Sequence, residues 1–286
     1  MTDKRDYLAV LGIPLWLPRR PPAEQPRLVD LPLPLTETGP GARLEVEDTG
    51  TEGLSSDDRM PPMVDNSKPR LETAADPSRA APNRRAATIA GMGWEELAAA
   101  VRECTACGLC ATRTQTVFGV GNRQADWLVI GEAPGADEDR QGEPFVGRAG
   151  KLLNPMLLAV GLKREQVYIA NVLKCRPPEN RDPTPDEAAQ CRPFLNRQIA
   201  LIRPRLVLAV GRIAAQSLLA TDTPIGKLRG RVHRLGPARV PLVVTYHPAY
   251  LLRSPREKRK VWDDLRLARR ALATEPSAPA ENTVEP

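Results

Sequence analysis

The stretch ADWLVIGEAPGADEDRQGEPFVGRAG, residues 125–150, decides the fold of this chain of 286 residues. Its apolar run Trp127–Ile130 is short, continuous and followed by Gly131, which is typical of a buried strand. A loop rich in glycines and carboxylates comes next. From Ala149 to about Val160 the apolar residues recur at helical spacing, and Gly161 follows as a residue type that commonly ends helices. Strand, loop and helix in this order predict the first unit of an α/β fold.

Three further apolar runs have the same character, at residues 167–171, 206–210 and 242–246. Helical patterns flank them at residues 94–103, 185–202, 211–219 and 256–271. Four near-continuous apolar strands separated by helices predict an α/β fold, a three-layer α/β/α sandwich with a central four-stranded parallel sheet. Ligands of such sheets bind beyond the carboxyl ends of the strands. We therefore expect four segments to meet at one edge: GEAPG, NVLKCRPP, GRIAAQ and HPAYLLR.

The rest of the chain differs in composition from this central region. Residues 1–90 contain 13 of the 30 prolines and no sustained period, so we expect a disordered Pro-rich extension that could dock an unidentified partner. Residues 274–286 read as a second disordered tail, which leaves residues 91–273 as the folded domain. No apolar run is long enough to span a bilayer, and the N-terminal residues do not resemble a signal peptide. We expect a cytoplasmic bacterial monomer that does not contact membranes.

Charge is distributed unevenly along the chain. Residues 91–272 contain 29 Lys and Arg against 18 Asp and Glu, a net charge of +11, whereas the remaining residues contain 12 against 17, a net charge of −5. A basic domain between acidic flanks favours a polyanionic partner, most often nucleic acid.

Cysteine spacing predicts a metal centre. Cys104 and Cys107 form a C-x-x-C pair, and Cys175 and Cys191 form a second pair. Thiolates at such spacings in a chain of this type favour metal binding over disulfides, and both zinc and an iron–sulfur cluster accept four of them. Cys110 is a fifth thiol, and spacing alone would allow it as a ligand.

Several separated motifs agree in order and spacing with one known family. They are GEAPGADED (131–139), GEPFVGRAG (142–150), NVLKCRPPENR (171–181), the later Cys191, and HPAYLLR (247–253). Over residues 94–272 the chain resembles the family 4 uracil-DNA glycosylases of the iron–sulfur type. The resemblance implies a monofunctional hydrolase that flips uracil out of DNA, cleaves its N-glycosidic bond and so initiates base excision repair. It also implies a structural [4Fe-4S] cluster held by Cys104, Cys107, Cys175 and Cys191, with Cys110 as a small buried residue.

The resemblance also assigns roles at the strand ends. Phe145 would stack on the flipped base, Asn171 would read the edge of uracil, and His247 would donate a hydrogen bond to the departing base. Small residues from Gly131 to Gly135 would let the backbone approach the base. Either Glu132, which the wider superfamily favours, or Glu138 would position the attacking water.

DNA contacts are expected from residues near these motifs. Free N–H groups at helix starts favour phosphate, and a side chain pushed into the minor groove can hold a base in the flipped state. The candidates are Arg148, Arg212, Tyr250, Leu251 and Arg253. Two alternatives remain at this point: a non-catalytic iron–sulfur or zinc module that binds nucleic acid, and a nucleotide-handling α/β enzyme. The second is weakened because the chain has neither a GxGxxG motif nor a P-loop.

Overall fold

The computed structural model describes residues 77–274, with side chains from Arg84 onward. Its helices are α1 Pro77–Gly91, α2 Trp94–Arg102, α3 Ala136–Gln141, α4 Arg148–Leu158, α5 Pro185–Ile202, α6 Arg212–Leu219, α7 Ile225–Leu228, α8 Pro248–Arg253 and α9 Lys258–Thr274. Its strands are β1 Val120–Gly121, β2 Trp127–Gly131, β3 Tyr168–Asn171, β4 Leu206–Val210, β5 Val232–Leu235 and β6 Val240–Thr245.

These strands form one six-stranded sheet in the order β1-β3-β2-β4-β6-β5. The four inner strands β3, β2, β4 and β6 pair in parallel, which confirms the predicted parallel sheet. The predicted strand number is wrong, because β1 and β5 add antiparallel edges. The sequence pattern did not reveal these edge strands. The first spans two residues, and the second is only partly buried, so neither carries a continuous apolar run.

Two hydrophobic layers cover the sheet. On one face, alternate strand residues such as Val129 and Leu208 pack against Leu153 of α4 and Leu265 of α9. On the other face, Ile130 and Ala209 belong to a second core formed with helices α5 and α6. Strands β2, β3 and β4 are buried along their whole length, and β6 is buried except at Val240, as the continuous apolar runs indicated. The three-layer architecture is therefore the predicted one.

The helix boundaries follow local signals. Helix α5 begins after Thr184, whose Oγ1 accepts a hydrogen bond from the Glu187 backbone N–H at 3.2 Å. The Glu187 carboxylate accepts in return from the Thr184 backbone N–H at 2.9 Å, and Pro185 occupies the first helical position. This reciprocal capping fixes where the helix that carries Cys191 starts.

Helix α1 is a difference from the sequence-based expectation. The composition of residues 77–90 predicts disorder, but they form most of this helix. The helix packs against α5. Periodicity did not reveal the helix because its sequence, PSRAAPNRRAATIAG, has almost no apolar face. The expectations for residues 1–76 and 275–286 fall outside the described part of the chain. Among residues 77–274 the structure contains no helix that is both long and apolar enough to cross a membrane.

Candidate functional site

The carboxyl ends of the parallel strands surround one cavity, as the strand order requires. The cavity has a volume of about 490 Å³. Residues from the segments after β2, β3 and β6 line it: Glu132, Gly135, Glu138, Phe145, Asn171, Arg181, Asp182, His247, Tyr250 and Arg253 among them. The structure thus brings together the predicted base-stacking, base-reading and donor residues.

Phe145 is held in a fixed orientation beside the cavity. Its backbone φ of 55° lies in the left-handed region, which is costly for a bulky residue. Arg164 stabilises this conformation, because its guanidinium donates to the Phe145 carbonyl oxygen at 3.3 Å and to the Pro144 carbonyl oxygen at 2.6 Å. The start of α4 also comes very close, since a Cβ on Gly150 would lie 1.7 Å from the same Phe145 oxygen. The phenyl ring is therefore set before any ligand arrives.

Asn171 presents an unpaired amide oxygen. The residue ends β3, its side chain is 2% exposed, and its Oδ1 has no hydrogen-bond partner among the described residues. A buried acceptor without a partner is costly, so such an atom in a cavity indicates a ligand donor that completes it. Gly131 keeps the space open: a Cβ there would lie 2.5 Å from Asn171 Oδ1 and 2.6 Å from the Phe145 ring.

His247 faces the same space as a neutral donor. It caps α8, and its Nδ1 accepts from the Ala249 backbone N–H at 3.2 Å, so the proton of the neutral ring is on Nε2. The pKa of His247 is lowered to about 4, chiefly by burial and also by the Arg253 guanidinium, while the Glu138 carboxylate opposes the shift. Its ring centroid is 5.6 Å from that of Phe145, and the planes are 32° apart.

Glu132 is a carboxylate of the cavity whose pKa is raised. The pKa of Glu132 is raised to about 7, chiefly by burial and also by the Asp182 carboxylate, while the Arg212 guanidinium opposes the shift. Arg212 and Asp182 form an ion pair at 2.5 Å, so these two groups act on Glu132 together. A carboxyl group with a pKa near neutrality can accept a proton at physiological pH.

Glu138 has a different environment. One carboxylate oxygen accepts from the backbone N–H groups of Val146 and Gly147, both at 2.9 Å, and the other accepts from the Gly135 N–H at 3.1 Å. Through these three hydrogen bonds, the Glu138 carboxylate links the GEAPG loop to the loop that carries Phe145. The Gly135-x-x-Glu138 spacing is a capping pattern that is visible in the sequence. Both carboxylate oxygens of Glu138 thus already accept hydrogen bonds from the backbone.

Of the five predicted DNA-contacting residues, four are exposed or half-buried and one is buried. Arg148 and Arg253 are exposed, and Tyr250 is half-buried against Tyr246, so all three are accessible. Leu251, by contrast, is 1% exposed and belongs to the core, so the structure does not present its side chain at the surface. The following residue, Leu252, is 41% exposed. Arg212 is exposed but already pairs with Asp182.

The four predicted ligand cysteines lie near one another. Cys107, Cys175 and Cys191 share one small cluster, and Cys104 is near enough to Cys175 for their charges to interact. All five cysteines of the described region are free thiols. Within residues 77–274 no three His, Cys, Asp or Glu side chains stand at metal-coordinating distances. The donor set nevertheless fits a thiolate-bound metal: it contains sulfur alone, it is largely buried, and Arg113 donates to Cys175 Sγ at 3.0 Å.

Lys174 lies between the cavity residue Asn171 and the cysteine Cys175, and the sequence did not indicate a role for it. Its side chain is 1% exposed, and its Nζ donates to the Asn171 carbonyl oxygen at 2.9 Å and to Gln198 Oε1 at 2.6 Å. The ammonium thus braces the turn between Asn171 and Cys175. No local pattern identifies it, because its partner Gln198 comes from a helix that is distant in sequence.

Comparisons with known proteins agree with this geometry. The family model described as the uracil DNA glycosylase superfamily matches residues 118–266. A type-4 uracil-DNA glycosylase of Archaeoglobus fulgidus is 45% identical over 179 residues, which are 60% of this chain and 89% of that relative. A type-4 uracil-DNA glycosylase of Thermotoga maritima is 44% identical over 179 residues, 61% of this chain and 92% of that relative. One from Saccharolobus solfataricus is 42% identical over 183 residues, 62% and 85% of the two chains. On these matches and this site, the chain belongs to the type-4 family of the uracil-DNA glycosylase superfamily.

Proposed function

We propose that this protein is a monofunctional uracil-DNA glycosylase that flips uracil out of DNA and hydrolyses its N-glycosidic bond, which initiates base excision repair. One observation carries the proposal most directly: the buried Oδ1 of Asn171, which has no hydrogen-bond partner within residues 77–274, in a cavity lined by Phe145 and His247. Membership of the type-4 family supports it independently.

The cavity groups complement the edge of uracil. The Asn171 side chain can accept from N3–H with its unpaired Oδ1 and donate to O4 with its amide nitrogen. Cytosine has the opposite pattern, a donor at position 4 and no proton on N3. Phe145 supplies the flat surface on which an extruded base stacks. An enzyme acting on a base needs both a stacking partner and a hydrogen-bonding reader, and the cavity offers the two together.

Bond cleavage leaves negative charge on the departing base and positive charge on the sugar. The His247 Nε2–H is a neutral donor, which favours an anionic uracil oxygen more than the neutral one and so lowers the barrier. Glu132 would orient the attacking water and accept its proton, and its negative charge would stabilise the cationic sugar. Glu138 is a positioning residue, because its carboxylate is occupied by three backbone N–H groups.

We further propose that Cys104, Cys107, Cys175 and Cys191 hold a structural [4Fe-4S] cluster, with zinc as the chemical alternative. The cluster would join the segment after α2 to the turn after β3 and to helix α5, and it would take no part in bond cleavage. Its support is the all-sulfur donor set and the hydrogen bond from Arg113 to Cys175. Cys110 remains outside the proposed ligand set.

DNA would be held by exposed cations around the cavity, chiefly Arg148 and Arg253. Leu252 replaces Leu251 as the apolar side chain available to enter the minor groove, since it is exposed between the cavity residues Tyr250 and Arg253.

The two adjacent leucines provide a matched pair of substitutions. Leu252→Ala should lower the excision rate on duplex DNA about tenfold, with little effect on single-stranded DNA, because only a duplex needs a wedge to hold the base out. Leu251→Ala should instead destabilise the fold by about 2–5 kcal/mol, as expected for a core leucine. Excision kinetics on both substrates and denaturant unfolding separate the two effects. Equal loss on both substrates for Leu252→Ala would contradict the wedge role.

The pKa of Glu132 predicts the pH dependence of excision. Because burial raises this pKa to about 7, the carboxyl is protonated below that pH and cannot accept a proton from water. The excision rate should therefore fall as pH decreases through about 7. Glu132→Gln should remove this acid limb and lower the rate at pH 8. If Glu132→Gln keeps the acid limb of the wild type, the titration belongs to another group.

A strand-cleavage assay tests the proposed function. Purified protein is incubated with end-labelled duplexes containing uracil or thymine at one position, and abasic sites are then cleaved with alkali. Cleavage of the uracil duplex alone is the expected result. Strong DNA binding without cleavage, from protein with its metal intact, would favour the non-catalytic module.

A further inference from the structure

Helix α1 makes its most specific contacts next to the cysteines. It lies before residue 118, where the match to the family model begins, and it packs on α5. Arg85 of this helix has three partners. Its Nη1 donates to the Gln190 carbonyl oxygen at 2.8 Å, its Nη2 donates to Cys104 Sγ at 3.6 Å, and its guanidinium stacks 4.8 Å from the centre of the Phe194 ring.

These partners belong to two different cysteine-bearing segments. Cys104 lies just after α2, whereas Gln190 immediately precedes Cys191 in α5. One guanidinium therefore connects the segments that supply two of the four proposed ligands. Arginine suits this position because its planar group can donate in several directions and stack on a ring at the same time.

Two further contacts hold the C-terminal end of α1 against the domain and so help to keep Arg85 in place. Ile89 is 3% exposed and packs with Leu97 and Val101 of α2. Just after the helix, the Met92 carbonyl oxygen accepts a hydrogen bond from Arg197 Nε at 2.6 Å. The helix is thus bound to both α2 and α5, and its contacts are with the folded domain.

A second cavity shows what the helix covers. It has a volume of about 470 Å³, and residues of α1, of α2 and of α5 line it together with Cys104. Its lining includes Arg85, Ile89, Ala100 and Phe194. Water and small solutes can approach Cys104 from this side. Helix α1 forms one wall of that approach, and the Arg85 guanidinium lies within hydrogen-bonding distance of the sulfur.

We propose that helix α1 is part of the metal centre, and that Arg85 is a positioning residue which holds Cys104 in its ligating arrangement and limits access to it. The inference rests on the proposed cysteine-bound metal. Arg113 donates to Cys175 Sγ in the same way, so each cysteine pair receives one guanidinium donor. Donors to ligating thiolates orient them, stabilise their negative charge and raise the reduction potential of an iron–sulfur cluster.

The test compares metal release from full-length holoprotein variants. Wild type, Arg85→Ala and the control Arg84→Ala, an exposed neighbour on the same helix, are mixed with excess chelator, and loss of the visible cluster absorbance is followed. Loss of a charged hydrogen bond should make release from Arg85→Ala about three- to tenfold faster, with Arg84→Ala unchanged. Equal rates for wild type and Arg85→Ala would overturn the proposal. If the protein holds zinc, the same comparison is made with a zinc indicator.

Three further measurements keep the test valid if the alanine variant is destabilised, and they separate this inference from the proposed function. Arg85→Lys keeps the charge but not the planar fork that reaches two acceptors and stacks on Phe194, so its release rate should lie between those of wild type and Arg85→Ala. The reduction potential of an iron–sulfur cluster should become more negative in Arg85→Ala, and an unchanged potential would count against the hydrogen bond. Metal-loaded Arg85→Ala should still excise uracil at the wild-type rate. A metal-free wild type would refute the cofactor proposal itself, whereas an inactive but metal-loaded wild type would refute only the glycosylase reading.

Discussion

His247→Ala should lower the rate of uracil excision about 10²–10³-fold, the effect of removing one preorganised donor to a developing oxyanion. The ring is half-buried and its Nδ1 accepts from the Ala249 N–H, which leaves Nε2–H to donate toward the cavity. Because the pKa of His247 is about 4, the ring is neutral at every pH above 5 and should contribute no limb to the pH profile. Single-turnover kinetics on a uracil duplex measure the loss.

Two controls separate this donor from other effects of the substitution. His247 also caps α8, and loss of a cap costs about 1 kcal/mol, so His247→Asn restores a favoured capping residue while removing the imidazole donor. It should unfold like wild type yet remain slow. His233→Ala changes the other histidine, whose Nε2 lies 2.7 Å from the Leu228 carbonyl oxygen at the edge of the sheet, and should leave the rate unchanged. A near-normal rate for His247→Ala would remove the residue from the mechanism.

The central sheet and the position of the site followed from the sequence because both depend on strong, local patterns. The run Trp127–Ile130 is buried on both faces, so its apolar character is continuous and easily recognised. The carboxyl ends of parallel strands lie at one edge whatever the details, which brought Asn171 and His247 together. Edge strands and helix α1 carry no such pattern, because packing against the rest of the fold stabilises them.

Side-chain direction could not be predicted in the same way. Leu251 and Leu252 are adjacent and chemically identical, and only the start of α8 at Pro248 decides which one faces the core. Glu132 and Glu138 lie in one acidic loop, but three backbone N–H groups surround Glu138 alone. Tertiary contacts therefore decide roles that composition and spacing leave open.

Asn171→Asp should reverse the preference of the cavity between uracil and cytosine. When the new carboxyl is ionised, an oxygen that only accepts replaces the amide N–H donor, so two acceptors face each other at uracil O4, in a buried site where water does not relieve the mismatch. A site built around hydrogen bonds to its substrate discriminates by about 10⁴-fold, so we expect uracil excision to fall by a comparable factor.

In this variant we expect the rate of cytosine excision to increase. A buried carboxyl tends to stay protonated, and a protonated Asp can donate to cytosine N3 while accepting from its 4-amino group. The ratio of cytosine to uracil excision should therefore rise above the wild-type ratio, because the amide N–H that faces the 4-amino group in wild type is replaced by an oxygen that can accept from it. The ratio, measured with paired substrates at several pH values, cancels the separate effect of Glu132 on absolute rates. An unchanged ratio would show that Asn171 does not read the base. The unpaired Oδ1 would then need another donor from the ligand.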